Sequence, residues 1–132
     1  MRLTLRKSEI IRGKRNFEQI FHRGVRIRSS SIQVLILTSP PPDDSSPAVR
    51  FAAVVPKAVG KANVRNRIKR LIRESYRLDK SLLVSPGLHP AATLNVVFLW
   101  SPRSRVPVES VTLGMVRGEI AGLLEKIRVQ FT

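Results

Sequence analysis

The chain has 132 residues and a mass of 14.8 kDa, the size of one domain, and 42% hydrophobic residues supply enough apolar surface for a core. Its 24 Lys and Arg against 9 Asp and Glu leave a net charge of +15, so a polyanionic partner is expected, nucleic acid first and an anionic membrane surface second. The lack of Cys excludes disulfides, cysteine nucleophiles and thiolate zinc sites, and a total of 2 His excludes a multi-histidine metal site within one chain.

The opening MRLTLRKSEIIRGKR is basic, and no apolar run of signal-peptide length follows it. Asn16–His22 sets Phe17, Ile20 and Phe21 at helical spacing, with Gly24 as the expected stop. Ser31–Thr38 (SIQVLILT) and Arg50–Val55 (RFAAVV) are aliphatic and β-branched, hence strands, and Pro56 ends the second. Between them, Ser39–Val49 carries 4 Pro and 2 Asp and reads as a strand-joining loop with some polyproline character. Lys61–Leu78 reads as a long helix and Ser85–Ala91 (SPGLHPA) as a turn-rich loop. Leu94–Trp100 is a further strong strand, with Trp100 in the core. Val108–Val129 reads as a helix with Leu113, Val116, Ile120, Leu123, Leu124 and Ile127 on its apolar side. Gly114, Gly118 and Gly122 recur along it, and close packing on the sheet is the expected reason. There is no internal repeat. The apolar stretches Ile32–Leu37 and Leu94–Trp100 fall far short of the ~20 residues of a membrane span, so a soluble, cytoplasmic protein without a membrane partner is expected. The order helix, two or three strands, helix, strand, helix predicts an α+β fold, a small α/β sandwich with a split β-α-β unit, rather than a doubly wound sheet.

The charge is concentrated. Residues 1–30 hold 9 basic and 2 acidic residues, residues 57–80 again 9 and 2, and residues 101–132 only 5 and 3. On a helical wheel of KANVRNRIKRLIRESYRL, Val64, Ile68, Leu71, Ile72, Ser75 and Leu78 form the stripe that must face the sheet. Arg65, Lys69 and Arg73 line one flank, Arg67, Arg70 and Arg77 the other, with Asn66 on the outer side between them. Only Glu74 and Asp79 interrupt the cations, so pairing within the helix cannot neutralise them. Arg suits phosphate through its planar fork, and the cluster points to nucleic acid over a merely solvated face.

At this helix the chain resembles the bacterial ribonuclease P protein subunit. RNRIKRLIRESYR (Arg65–Arg77) is similar to that family's RNR motif, and RFAAVVPKAVGKANV (Arg50–Val64) to the strand and turn leading into it. LRKSEIIRGKRNFEQIFHRGVRI (Leu5–Ile27) resembles the family's opening, with Phe17 and Phe21 four apart and Gly24 three further on. The resemblance covers nearly the whole chain and is most specific at the RNR block.

It implies one RNA-binding domain over 1–132, with a basic N-terminal arm at 1–12, a Pro-rich loop at 39–49 and a left-handed crossover in the β-α-β unit. It implies a subunit of a ribozyme that removes the 5′ leader of precursor tRNA, with catalysis and Mg²⁺ belonging to the RNA subunit and the protein alone inactive. The implied partners are ribonuclease P RNA and precursor tRNA, with one protein per RNA as the expected ratio. Carried over residue by residue, it assigns Arg65, Asn66, Arg67, Lys69, Arg70 and Arg73 to the RNA subunit. Phe17, Phe21, Lys57, Lys69 and Arg73 go to a leader-binding cleft between the RNR helix, the first helix and the sheet. Ala58 stands where the family often has a second Lys or Arg, Pro56 where Ser is common, Leu35 where an aromatic residue is frequent and Gln33 where an apolar one is. From the residues alone, Phe17 and Phe21 fit either plain core or a base-stacking platform.

Other signals are weak. VGKA (Val59–Ala62) lacks the first Gly and the Ser or Thr of a phosphate-binding loop. Asp43 and Asp44 sit in the Pro-rich loop without held geometry, and His22 has no neighbouring carboxylate in sequence. The rival readings are a structural ribosomal or other RNA-binding protein without nuclease association, and an autonomous nuclease. The RNR spacing with the paired Phe speaks against the first, and the shortage of His and positioned carboxylates against the second.

Overall fold

Four segments rich in aliphatic and β-branched residues build the sheet at the centre of the computed structural model, which describes residues 5–40, 48–83 and 92–131. The strands are β1 (Val25–Arg28), β2 (Ile32–Ser39), β3 (Val49–Val54) and β4 (Thr93–Trp100), in the spatial order β1-β2-β4-β3. β1 pairs antiparallel with β2, β2 antiparallel with β4, and β3 parallel with β4. The helices are α1 (Lys14–Arg23), α2 (Ala62–Asp79) and α3 (Leu113–Phe131). The mixed α+β fold is thus as expected, with three strands before α2. The β-α-β unit, however, is not split: β3 and β4 are hydrogen-bonded neighbours, and β2 lies beyond β4 rather than between them. Residues 1–4 of the basic arm, 41–47 of the Pro-rich loop (Asp43 and Asp44 included) and Ser85–Ala91 with His89 lie outside the described residues. Among the described residues no helix is long and apolar enough to cross a membrane.

The two sheet faces carry separate cores. One face packs Ile32, Val34, Ile36, Phe51, Val96, Phe98 and Trp100 against α2 and α3. The other sets Leu35, Ala52 and Val97 under α1 through Ile11 and Ile20. Every β4 residue except Leu99 is buried, because both faces of this central strand are covered. β1 is a charged edge strand (VRIR), which suits an edge and obscures its alternation in the sequence.

Several expectations need correction. The buried face of α2 is Ile68, Ile72, Ser75 and Tyr76, while Val64, Leu71 and Leu78 are only half-buried. Tyr76 was absent from the expected stripe, yet its ring stacks on Phe51 at 4.4 Å between centroids and 8° between planes. An aromatic body with a polar tip reads as ambiguous on a wheel; here the apolar body prevails. The last helix begins at Leu113, after a 3-10 turn at Val108–Ser110, because Thr112 caps it by accepting from Met115 N–H at 3.3 Å. That start leaves Leu113 38% exposed rather than in the core. Gly114, Gly118 and Gly122 do not pack on the sheet: a methyl group built on any of them would meet nothing within 4 Å. Gly24 does end α1, but with φ −70° rather than in a left-handed turn. A side chain there would lie 2.5 Å from the Ile20 carbonyl oxygen and 3.2 Å from that of Ile36, so close approach of helix to strand demands the glycine.

Cross-links between elements fix α2. Arg117 on α3 donates to both Asp79 oxygens, at 3.1 and 3.2 Å. Lys80, 8% exposed, pairs with Glu9 at 2.9 Å and anchors the N-terminal segment at the far end of α2.

Candidate nucleic-acid interface

The segment before α1 reaches β3 and stops there. Ile10 bridges Phe51, and Ile11 N–H donates to the Phe51 carbonyl at 2.9 Å. With α1 on one face of the sheet and α2 on the other, a groove of about 400 Å³ is left along the β3 edge. Its apolar side is Ile10, Ile11, Phe17, Phe51, Ala52 and Ala53, and its polar side is Asn66, Lys69, Arg70 and Arg73 of α2. Among the described residues no carboxylate lines it. A strip of aromatic and aliphatic surface beside a row of cations is the arrangement that receives a single-stranded nucleic acid: base faces meet the apolar side and phosphates the cations.

The helix spacing explains the polar row. Asn66, Lys69, Arg70 and Arg73 recur at three- and four-residue intervals, so one helix side presents all of them. The two-flank assignment is corrected: Arg70 and Arg73 line this groove and also the shallower depression on the outer side with Arg67, Leu71, Glu74 and Arg77. The cations therefore form a continuous outward face rather than two separate rows.

The expected site residues do not all end up together. Arg65 Nε donates to the Gly60 carbonyl at 3.1 Å, which ties it to the turn before α2. Arg67 donates to the Val108 carbonyl at 3.2 Å and also to that of Val111, so it staples α2 to the segment leading into α3. Arg77 donates to Glu74, and that hydrogen bond holds the Glu74 carboxyl below its ordinary range. Phe17 is half-buried in the groove wall, whereas Phe21 is 38% exposed and outside the groove's lining. Lys57 is exposed in the turn before α2 and is likewise outside that lining. Leu35 is covered by α1 and offers no face to a base.

Sequence reasoning missed Ile10, Ile11, Phe51, Ala52 and Ala53 as groove walls. The adjacent Ile10 and Ile11 in an otherwise basic segment are the signal that could have found the first two. Beneath the groove, burial raises the Tyr76 phenol well above its ordinary range, with the nearby Glu9 charge as the second cause.

Comparison with known proteins agrees with this arrangement. A family model described as Ribonuclease P matches residues 5–128. The ribonuclease P protein component of Syntrophus aciditrophicus is 42% identical over 79 residues, which cover 60% of this chain and 62% of that protein, less than two thirds of its length. The corresponding protein of Petrotoga mobilis is 29% identical over 126 residues, covering 94% of this chain and 95% of that one. Among solved structures, the RNase P protein from Thermotoga maritima superposes with a TM-score of 0.70 at 27% identity, covering 90% of this chain and 97% of that one. With the family model spanning residues 5–128 and the fold superposing over 90% of the chain, the chain belongs to the ribonuclease P protein family.

Proposed function

We propose that this chain acts as the protein subunit of ribonuclease P, binding the catalytic RNA and taking the 5′ leader of precursor tRNA in the groove along β3. The observation that carries the reading is the groove itself, with Phe17 and the β3 edge on one side and Asn66, Lys69, Arg70 and Arg73 on the other. In this account the leader's bases lie against Phe17 and its phosphates against Lys69 and Arg73. The outward faces of Asn66 and Arg70, together with Lys57, Arg65 and Arg67 around them, meet the RNA subunit. One protein serves one RNA, in the cytoplasm.

Hydrolysis and its Mg²⁺ are assigned to the RNA subunit. Six of the nine carboxylates are engaged elsewhere among the described residues: Glu9 holds Lys80, Glu18 meets Lys14, Glu74 holds Arg77, Asp79 holds Arg117, Glu125 holds Arg128, and Glu119 accepts from Ser31 N–H. The protein's part is to offset repulsion between two RNAs and so raise substrate and metal occupancy.

The test pairs cleavage with leader discrimination. Nuclease-free protein alone is expected to leave precursor tRNA intact, and protein with the RNA subunit and Mg²⁺ to cleave it at low magnesium. Phe17→Ala is expected to weaken binding of precursor tRNA by about ten-fold or more and to leave mature tRNA unaffected, since stacking on one base is worth ~1–3 kcal/mol. Cleavage by the protein without RNA, or equal loss for both tRNAs, contradicts the reading.

A further inference from the structure

The edge of the sheet at β3 is covered by the chain's own N-terminal segment. Ile10 is extended, so its side chain and that of Ile11 go to opposite faces. Ile10 packs on the core shared with α2 and α3, Ile11 on the core under α1, and both line the groove. The segment thus straddles the β3 edge, joined to it by the Ile10–Phe51 bridge and by the hydrogen bond from Ile11 N–H to the Phe51 carbonyl.

Charge works against that seat. Residues 1–17 hold 6 Lys and Arg, and Lys69, Arg70 and Arg73 stand across the groove, so the two sides repel. The single acid in residues 1–17 is Glu9. Both of its carboxylate oxygens are engaged: Oε1 meets Lys80 Nζ at 2.9 Å, and Oε2 accepts from Arg6 N–H at 2.6 Å. The second contact closes the 3-10 turn Lys7–Glu9, and the first ties that turn to the end of α2, one residue before Ile10. The side chains of Lys80 and Glu9 are only 10% and 17% exposed, so salt screens this pair much less than it screens the surrounding cations.

We propose that Glu9, held by Lys80, is a positioning residue that seats Ile10 and Ile11 against β3 and so sets the groove's preference for leader-bearing tRNA; the preference rests on the groove being the leader site, the seating does not. Amide exchange of the full chain reads the seating. E9Q keeps an oxygen for Arg6 N–H and removes the charge, and K80M removes the opposite one. In each, Ile11 N–H is expected to exchange at least about ten-fold faster, with Val97 N–H of β4 unchanged. Unchanged exchange at Ile11 overturns the proposal, and so does equal acceleration at Val97, which would make the pair a staple for the whole fold. The preference is read as the ratio of affinities for precursor and mature tRNA, measured on the chain assembled with ribonuclease P RNA. E9Q raises the net charge by one and K80M lowers it by one, yet both are expected to lose about ten-fold in this ratio, as when the seated state falls to a tenth of the population. E9Q/K80M is expected to lose no more than either single variant, because the same pair is broken in all three. Losses that multiply in the double variant, or a loss in K80M with a gain in E9Q, overturn the proposal in favour of independent effects or of net charge. A preference kept in these variants but lost in F17A overturns the proposal and spares the groove as leader site; a preference kept in F17A as well overturns both.

Discussion

α2 and α3 lie on the same face of the sheet and are nearly equal in length, at 18 and 19 residues, yet their outward faces differ throughout. Both turn an aliphatic row inward, Ile68 and Ile72 on α2, Val116, Ile120, Leu123, Leu124 and Ile127 on α3. Outward, α2 carries Asn66, Arg70 and Arg73, while α3 carries Gly114, Gly118 and Gly122 beside open space. The inward rows answer to the sheet and the outward ones do not. Glycine in an exposed helix turn costs roughly 1 kcal/mol against alanine, and clustered like charges repel, so neither outward face is explained by folding. On α2 the proposed RNA partner would account for the cations; nothing in the structure explains the glycines of α3.

The largest expected effects should fail to tell the helices apart. Ile72→Ala and Ile120→Ala each remove a fully buried side chain from the shared core and are expected to cost about 2–5 kcal/mol in urea denaturation. A much smaller loss for either would mean that its helix is not integral to the core. Arg67→Ala sharpens the comparison from the α2 side. It removes two donors to the Val108 and Val111 carbonyls and is expected to cost about 1–3 kcal/mol of stability in addition to any effect on RNA. Among the described residues Arg70 has no such tether, so Arg70→Ala should leave the melting temperature nearly unchanged. The smallest effect belongs to α3: Gly118→Ala and Gly122→Ala meet open space and are expected to stabilise by up to about 1 kcal/mol each without altering RNA affinity.

Much of this comparison is legible in the sequence. The aliphatic spacing of α3 marks its buried side, and the density of Arg and Lys marks α2 as the candidate binding helix. What periodicity does not reveal is which polar groups the fold consumes. Arg67 and Arg70 look equivalent on a wheel, but only the folded chain brings the Val108 and Val111 carbonyls, over 40 positions away, to Arg67. Tyr76 escapes for a related reason, since its place depends on Phe51, a residue of another element. The groove is the least legible part. Phe17, Ile11, Ala52 and Lys69 converge because α1 and α2 occupy opposite faces of one edge strand, a fact of topology rather than of any local pattern.

The central claim is that the outward cations of α2 contact RNA phosphates. Its most direct test is the salt dependence of binding to ribonuclease P RNA, measured for the unaltered chain, for R70A/R73A on α2 and for R117A on α3. If Arg70 and Arg73 each contact one phosphate, the double variant should lose affinity and its slope against log salt should fall in magnitude by about 1.4–1.8, while R117A keeps the original slope. Equal slopes for all three proteins would contradict the account and make the charged face of α2 a solvated one.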